Sequence, residues 1–255
     1  MVDMHSHVLF GVDDGPLTIE ESVSVMQKVV EEGITDMIVT PHAFHPHFHV
    51  AREEIEAQVS LLGKVVREAG MPLTVHAGQE VRLHGKIIEE WKAGEVMTLA
   101  GSKYLLLELP SNTVPAYTVP VIDQLLLEGV VPIIAHPERN RAIAEKPDRL
   151  RRLIQRGALA QVTAGSLAGH FGKGVQKVAS RLVQANLIHT YGSDVHNLVT
   201  RPPLFNEGLD YLEKRKFHSI ADILLENNAR ILVNDSVIQL ELDVMKEYKW
   251  WRIGK

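Results

Sequence analysis

The chain has 255 residues, 45% hydrophobic and 23% charged, which is ordinary globular usage and excludes a disordered, fibrous or repeat protein. A formal charge of −5, from 27 basic and 32 acidic residues, excludes the basic footprint of a nucleic-acid-coating protein. The absence of cysteine excludes disulfides, thiolate zinc sites and cysteine-nucleophile phosphatase chemistry, whereas 13 histidines, several beside carboxylates, point to metal. No apolar run approaches the roughly 18 residues of a spanning helix. Met1 leads at once into a strand-like segment instead of a signal peptide, so a cytoplasmic location is expected.

Short apolar runs alternate with longer amphipathic stretches, the pattern of repeated βα units around a parallel sheet. Strands are predicted at 2–10, 36–41, 73–81, 104–109, 131–136, 160–163 and 187–192. The first helix opens at Thr18, which forms a capping box with Glu21 and sets Val23, Met26, Val29 and Val30 on one face before Gly33. Further helices are predicted at 51–69, around 122–128, at 147–156 and at 175–185, the first three closed by Gly70, Gly129 and Gly157. No linker, composition shift or internal repeat divides the chain. Seven such units with right-handed crossovers predict one α/β domain over 1–255, which closes into an incomplete or distorted (β/α) barrel more readily than it forms an open sheet.

In such a barrel the active site forms at the carboxyl ends of the strands. Those ends are rich in His, Asp and Glu. The first carries His5 and His7, two apart and hence on one face, followed by Asp13 and Asp14. The second ends in His42, the third at Glu80, the fourth near Glu108 and the fifth in His136, while Asp194 and His196 follow the seventh. Only the sixth strand brings no such group. One polar residue at a strand end is ordinarily solvated, but so many at one end of a barrel read together as metal ligands, because buried carboxylates need cations. Mixed nitrogen and oxygen donors suit manganese, iron or zinc better than calcium. The number exceeds one ion's needs, and a carboxylate such as Glu80 can bridge two cations about 3.5–4 Å apart, the arrangement of phosphoryl-transfer sites. Arg139 and Arg201 follow His136 and His196 closely, and a planar fork near metals suits phosphate oxygens.

His5-x-His7, Thr-Pro-His42, Gly-Gln-Glu80, Glu108-Leu-Pro, Ala-His136-Pro-Glu-Arg139 and Ser-Asp194-x-His196 resemble the motifs of the PHP (polymerase and histidinol phosphatase) metallohydrolases. Over essentially the whole chain, including Gly165-Ser166-Leu167-Ala168-Gly169 and Leu187-Ile188-His189, the sequence is similar to the bacterial manganese-dependent protein tyrosine phosphatases of capsule and exopolysaccharide clusters, the YwqE/CpsB type. The resemblance implies a distorted (β/α)7 TIM-like barrel, the PHP fold, that holds up to three metals. The first is assigned to His5, His7, Glu80 and Asp194, the second to Glu80, Glu108 and His136, and the third to Asp14, His42 and His196, with Asp13 the rival of Asp14. Manganese is the implied ion, with iron, zinc and magnesium as alternatives. The implied substrate is the phosphotyrosine tail of a membrane-associated bacterial kinase, met in a transient approach to the membrane face. Nucleic acid is not an expected partner, and the oligomeric state stays open.

The mechanism expected of such a site is in-line attack on phosphorus by a hydroxide shared between two metals, with Arg139 and Arg201 holding the non-bridging oxygens. A tyrosine phenolate, with a solution pKa of about 10, needs little help to leave; His42 and Asp14 are both candidates for supplying its proton. In the segment His42-Ala43-Phe44-His45-Pro46-His47-Phe48-His49 only His42 fits the motif, and the rest reads as a solvated loop or as a substrate-contacting rim. Phe171 lies within reach of the pocket, and the aromatic and basic tail at 246–255 reads as a packed or frayed terminus, or as a membrane or partner contact. Two rival functions use the same residues: a small-molecule phosphatase of the histidinol-phosphate type, and a nonenzymatic assembly factor that binds a polysaccharide-synthesis kinase.

Overall fold

The computed structural model describes residues 1–242, and the tail at 246–255 lies outside them. The strands are β1 (Val2–Ser6), β2 (Asp36–Val39), β3 (His42–Ala43), β4 (Thr74–Ala77), β5 (Glu80–Arg82), β6 (Tyr104–Glu108), β7 (Val131–Ile134), β8 (Leu159–Thr163) and β9 (Thr190–Gly192). Every ladder is parallel, in the orders β1-β2-β4 and β3-β5-β6-β7-β8-β9. Because β2 runs on into β3 and β4 into β5, the two sheets together make the seven staves that the sequence pattern predicts. The ring closes where β1 meets the segment after β9: Asp194 N–H donates to His5 O at 2.8 Å and His7 N–H to Val195 O at 2.8 Å. The result is the distorted (β/α)7 barrel.

Met4, Ile38, Leu106, Ile133 and Leu159, from five different strands, form one buried cluster with Leu99, Tyr104 and Ile231. Glu108 and Gln161 stand two residues beyond Leu106 and Leu159 on the same strands, so the alternation of side chains carries them above this apolar floor. A second, larger cluster lies between the strands and the surrounding helices α1 (Ile19–Glu31), α2 (Arg52–Glu68), α3 (Ile87–Ala93), α4 (Thr118–Leu127), α5 (Arg141–Glu145), α6 (Asp148–Gln155), α7 (Ala164–Ala168), α8 (Lys173–Gln184), α9 (Phe205–Lys214) and α10 (His218–Leu232). Thr18 caps α1 as expected, accepting from Glu21 N–H at 3.3 Å, while the Glu21 carboxylate takes Leu17 N–H at 2.7 Å.

The structure departs from the predicted elements at two strands. The run at 2–10 leaves the ladder after Ser6, where a bulge between Asp3 and Ser6 shifts the register. Bulges of this kind re-aim side chains beside active sites. The run at 73–81 is broken because Gln79 turns inward, donating to Val50 O at 3.1 Å and accepting from Met97 N–H at 2.8 Å. Gly78 permits the break: a Cβ there would meet Ile38 Cγ2 at 3.0 Å.

Candidate metal centre

His5 and His7 are fully buried, and their Nε2 atoms stand 3.2 Å apart. Each ring is held from its outer side. His5 Nδ1 lies 3.0 Å from Gln161 Oε1, and His7 Nδ1 lies 2.8 Å from Asp13 Oδ2. Asp13 also accepts from Gly15 N–H at 3.0 Å and His42 N–H at 3.2 Å, so it braces a ring and a turn from behind. Asp14 faces the centre instead, with Oδ1 3.1 Å from His196 Nε2 and 3.5 Å from His42 Nε2.

Glu80, at the start of β5, occupies the middle. Its Oε1 is 2.8 Å from His136 Nε2 and 3.6 Å from His5 Nε2; its Oε2 is 3.0 Å from His42 Nδ1 and 3.3 Å from His7 Nε2. Glu108, ending β6, pairs with Arg82 Nη1 at 2.9 Å. Asp194 Oδ2 takes both arginines, Arg139 Nη2 at 2.6 Å and Arg201 Nη2 at 2.7 Å. His136 and Asp194 both sit in left-handed backbone, at φ +33° and +55°. Such conformations cost roughly 1–3 kcal/mol each and concentrate at functional sites.

Among the described residues three groups of ligand atoms converge: His7, Asp14, His42 and His196; His5, His7 and Glu80; and His42, Glu80 and Glu108. This grouping differs in detail from the sets that the resemblance implies. His7 also joins the third set, His42 stands beside Glu80 and Glu108, His136 hydrogen-bonds Glu80, and Asp194 lies beside the first set in the grip of the arginines.

The donor atoms fit divalent cations. His196 Nδ1 donates to Asp194 O at 3.0 Å, which leaves its Nε2 as an acceptor, 2.7 Å from Arg201 Nη1 and 3.1 Å from the Asp14 carboxylate. Asp194 Oδ1 is buried and accepts no hydrogen bond, although His5 Nε2 is 3.3 Å away. Acceptors crowded in this way call for positive charge between them. In the protein alone, protons meet part of that need. Burial opposes charge on His7, but Asp13 outweighs it and pushes the pKa up to about 9; for His42, Glu80 and Asp14 outweigh burial and push it up to about 11. Burial, with Arg139 beside one ring and His7 beside the other, pushes His136 and His196 down to about 4. Against burial, the facing imidazoles hold Asp14 and Glu80 well below the carboxylate range, and Arg139 and Arg201 do the same for Asp194. Burial and the neighbouring Glu80 raise Glu108.

Three residues beside the centre were not assigned from sequence. Arg82 follows Glu80 by two along β5 and meets Glu108 across the ladder; that spacing is its only signal. Gln161 is the one amide in an otherwise apolar stretch of β8, a legible oddity. Glu138 is fully buried, accepts from Thr163 N–H at 3.1 Å and so anchors the turn Pro137–Arg139 that carries Arg139. Phe171, placed near the pocket by sequence, lies with its ring centroid 5.1 Å from the Arg139 guanidinium carbon. In the histidine-rich loop, His45 and Phe48 stack on His42 at 4.7 and 5.9 Å between ring centroids, which makes part of that loop a wall of the centre. A cleft of about 260 Å³ lined by Glu108, Ser111, His136, Arg139 and Asn140 opens beside it.

The tyrosine-protein phosphatase YwqE of Bacillus subtilis is 38% identical over 238 residues, 93% of each chain. The tyrosine-protein phosphatase CpsB of Streptococcus pneumoniae is 29% identical over 243 residues, 93% of this chain and all of that one. One chain from the crystal structures of YwqE from Bacillus subtilis and CpsB from Streptococcus pneumoniae, described as unique metal-dependent tyrosine phosphatases, matches with a TM-score of 0.94 at 36% identity, covering 97% of this chain and 100% of that chain. An amidohydrolase from Mycoplasma synoviae, 13% identical, shares the fold alone, with a TM-score of 0.57 over 91% of this chain and 87% of its own. Residues 1–234 match the model of the family described as capsular polysaccharide synthesis, CpsB/CapC, and the chain belongs to that family.

Proposed function

We propose that this chain is a metal-dependent protein tyrosine phosphatase of capsular polysaccharide synthesis, using manganese, and that its substrate is the phosphorylated tyrosine tail of a bacterial kinase. The observation that carries the reading is the meeting of three ligand groups with two guanidinium groups at one barrel mouth, both arginines gripping Asp194. The relatives named above are tyrosine phosphatases, and the family's place in capsule synthesis supports the kinase as partner. A cytoplasmic location belongs to the same proposal; among the described residues no helix is long and apolar enough to cross a membrane.

His5, His7, Asp14, His42, Glu80, Glu108, His136, Asp194 and His196 would hold the ions. Bound there, divalent cations supply Lewis acidity toward a phosphoryl oxygen and make coordinated water acidic near neutral pH. The chain's own groups do the rest. Arg139 and Arg201, already aimed at one carboxylate oxygen, present planar forks that bind two non-bridging phosphoryl oxygens. Phe171 packs on the Arg139 fork and restricts its swing. The cleft lined by Ser111 and Asn140 receives the leaving side chain, and the phenolate, with a solution pKa of about 10, departs with modest assistance from His42 at the mouth, since the facing imidazoles hold Asp14 as a carboxylate with no proton to give.

Elemental analysis of the purified protein, with hydrolysis of a phosphotyrosine peptide followed before and after chelation, tests the reading. Manganese-restored activity that favours the peptide over histidinol phosphate is the expected result. The reverse preference would assign a small-molecule substrate, and an inactive metal-loaded protein would leave an assembly role.

A further inference from the structure

Strand β8 sends no ligand to the centre, yet its one amide, Gln161, lies fully buried against two of the strands that do. Gln161 Nε2 donates to Val162 O at 2.8 Å, which fixes the flip of the amide and leaves Oε1 as an acceptor. That oxygen is 3.0 Å from His5 Nδ1 and 3.4 Å from the backbone N–H of His136. Both ring nitrogens of His5 face acceptors, but Nδ1 has the shorter contact, 3.0 Å against 3.3 Å for Nε2, which places the proton of neutral His5 on Nδ1 and the lone pair on Nε2. Nε2 is the atom turned toward Asp194 Oδ1 at 3.3 Å and Glu80 Oε1 at 3.6 Å. Gly192 makes room for this pair, because a Cβ there would meet Gln161 Nε2 at 3.0 Å and His5 Cβ at 2.8 Å.

We propose that Gln161 is the positioning residue of the centre: it sets the tautomer of His5, ties it to the backbone of His136, and thereby governs how tightly the ions at the Glu80 side are held. The proposal rests on the metal reading given above. The other rings are braced differently, His7 by the Asp13 carboxylate and His196 by the carbonyl of Asp194. A neutral amide braces His5 without adding a further negative charge to the carboxylates of Glu80, Asp194, Asp14 and Glu108 already gathered at the centre. Orienting partners of this kind ordinarily contribute about 10–100-fold to metal affinity.

Two measurements test it. In the metal-free wild-type protein at mildly alkaline pH, nitrogen-detected NMR of the imidazoles is expected to place the His5 proton on Nδ1; a proton on Nε2 overturns the proposal without any variant. In Gln161→Met, which keeps the shape and removes the acceptor, manganese titration followed by the EPR signal of the free ion is expected to show about 10–100-fold weaker binding of the ions next to His5, with the ion of the Asp14, His42 and His196 set unchanged. Manganese binding at every site within about threefold of wild type, or equal weakening at all of them, overturns it. A wild-type protein that binds no manganese in the same titration overturns the metal reading itself, a result distinct from either.

Discussion

Asp13 and Asp14 are adjacent in the chain and do different work, one behind His7 and the other in front of His196. Asp13→Asn is therefore expected to weaken metal binding about 10–100-fold through a poorly held His7. Asp14→Asn is expected to abolish the ion of the His42 and His196 set while leaving the others; metal counting by elemental analysis separates the two. Arg139→Ala is expected to lower turnover on a phosphotyrosine peptide by about 10²–10³ with bound manganese retained, a range typical of lost transition-state donors. Arg139→Lys should recover little, since one ammonium cannot make the two-pronged contact. Most of these residues were legible because His, Asp and Glu at strand ends are conspicuous in an apolar pattern. The choice between Asp13 and Asp14 was not, because it depends on which way the turn before Gly15 carries each carboxylate. Which histidine joins which carboxylate was illegible for a similar reason: Glu80 reaches four rings at once, and sequence order says nothing about which of them share an ion.

At the level of elements, the seven staves and their parallel order were readable from the alternation of apolar runs, and so were α1, α2, α6 and α8, which have amphipathic faces and clear ends. Helices α3, α5, α7, α9 and α10 were not assigned; in α5 and α7, five residues carry too little periodicity to register. Helix α7 nonetheless holds an exacting contact. Gly208 of α9 packs against the backbone of Ala164, where a Cβ would stand 2.9 Å from Ala164 O and closer still to the Tyr191 hydroxyl. That hydroxyl donates to Phe205 O at 2.7 Å in a fully buried setting. Gly208→Ala is therefore expected to destabilise the protein by about 1–3 kcal/mol through overpacking and a displaced hydroxyl, measurable as a lower denaturant midpoint. The better helix propensity of alanine, worth about 1 kcal/mol, offsets only part of this.

For the molecule as a whole, buried histidines away from the mouth shape the acid limb of stability. His189 is 3% exposed, its Nδ1 accepts from Ala160 N–H at 3.2 Å, and burial pushes its pKa down to about 4. The unfolded chain titrates near 6.5, so it takes up a proton first as pH falls. His189 thus stabilises the fold fully above pH 6.5 and loses that contribution between 6.5 and 4, a loss of roughly 3 kcal/mol for a shift of this size. His189→Leu is expected to show a shallower decline of unfolding free energy over that window. His7 acts in the opposite sense in the metal-free protein: raised to about 9, it favours the fold below pH 6.5 and ceases to do so as pH climbs through 9. The closure of the ring has a consequence for synthesis. Asp194 N–H bonds to His5 O, and Ser193 N–H bonds to the buried Asp3 carboxylate at 2.9 Å, joining parts of the chain that leave the ribosome far apart in time. A nascent polypeptide that has not yet delivered its ninth strand lacks Asp194, His196 and Arg201 although the other candidate ligands and Arg139 are already made, so a complete ion cradle and a paired grip on phosphate arrive only after most of the chain has been translated.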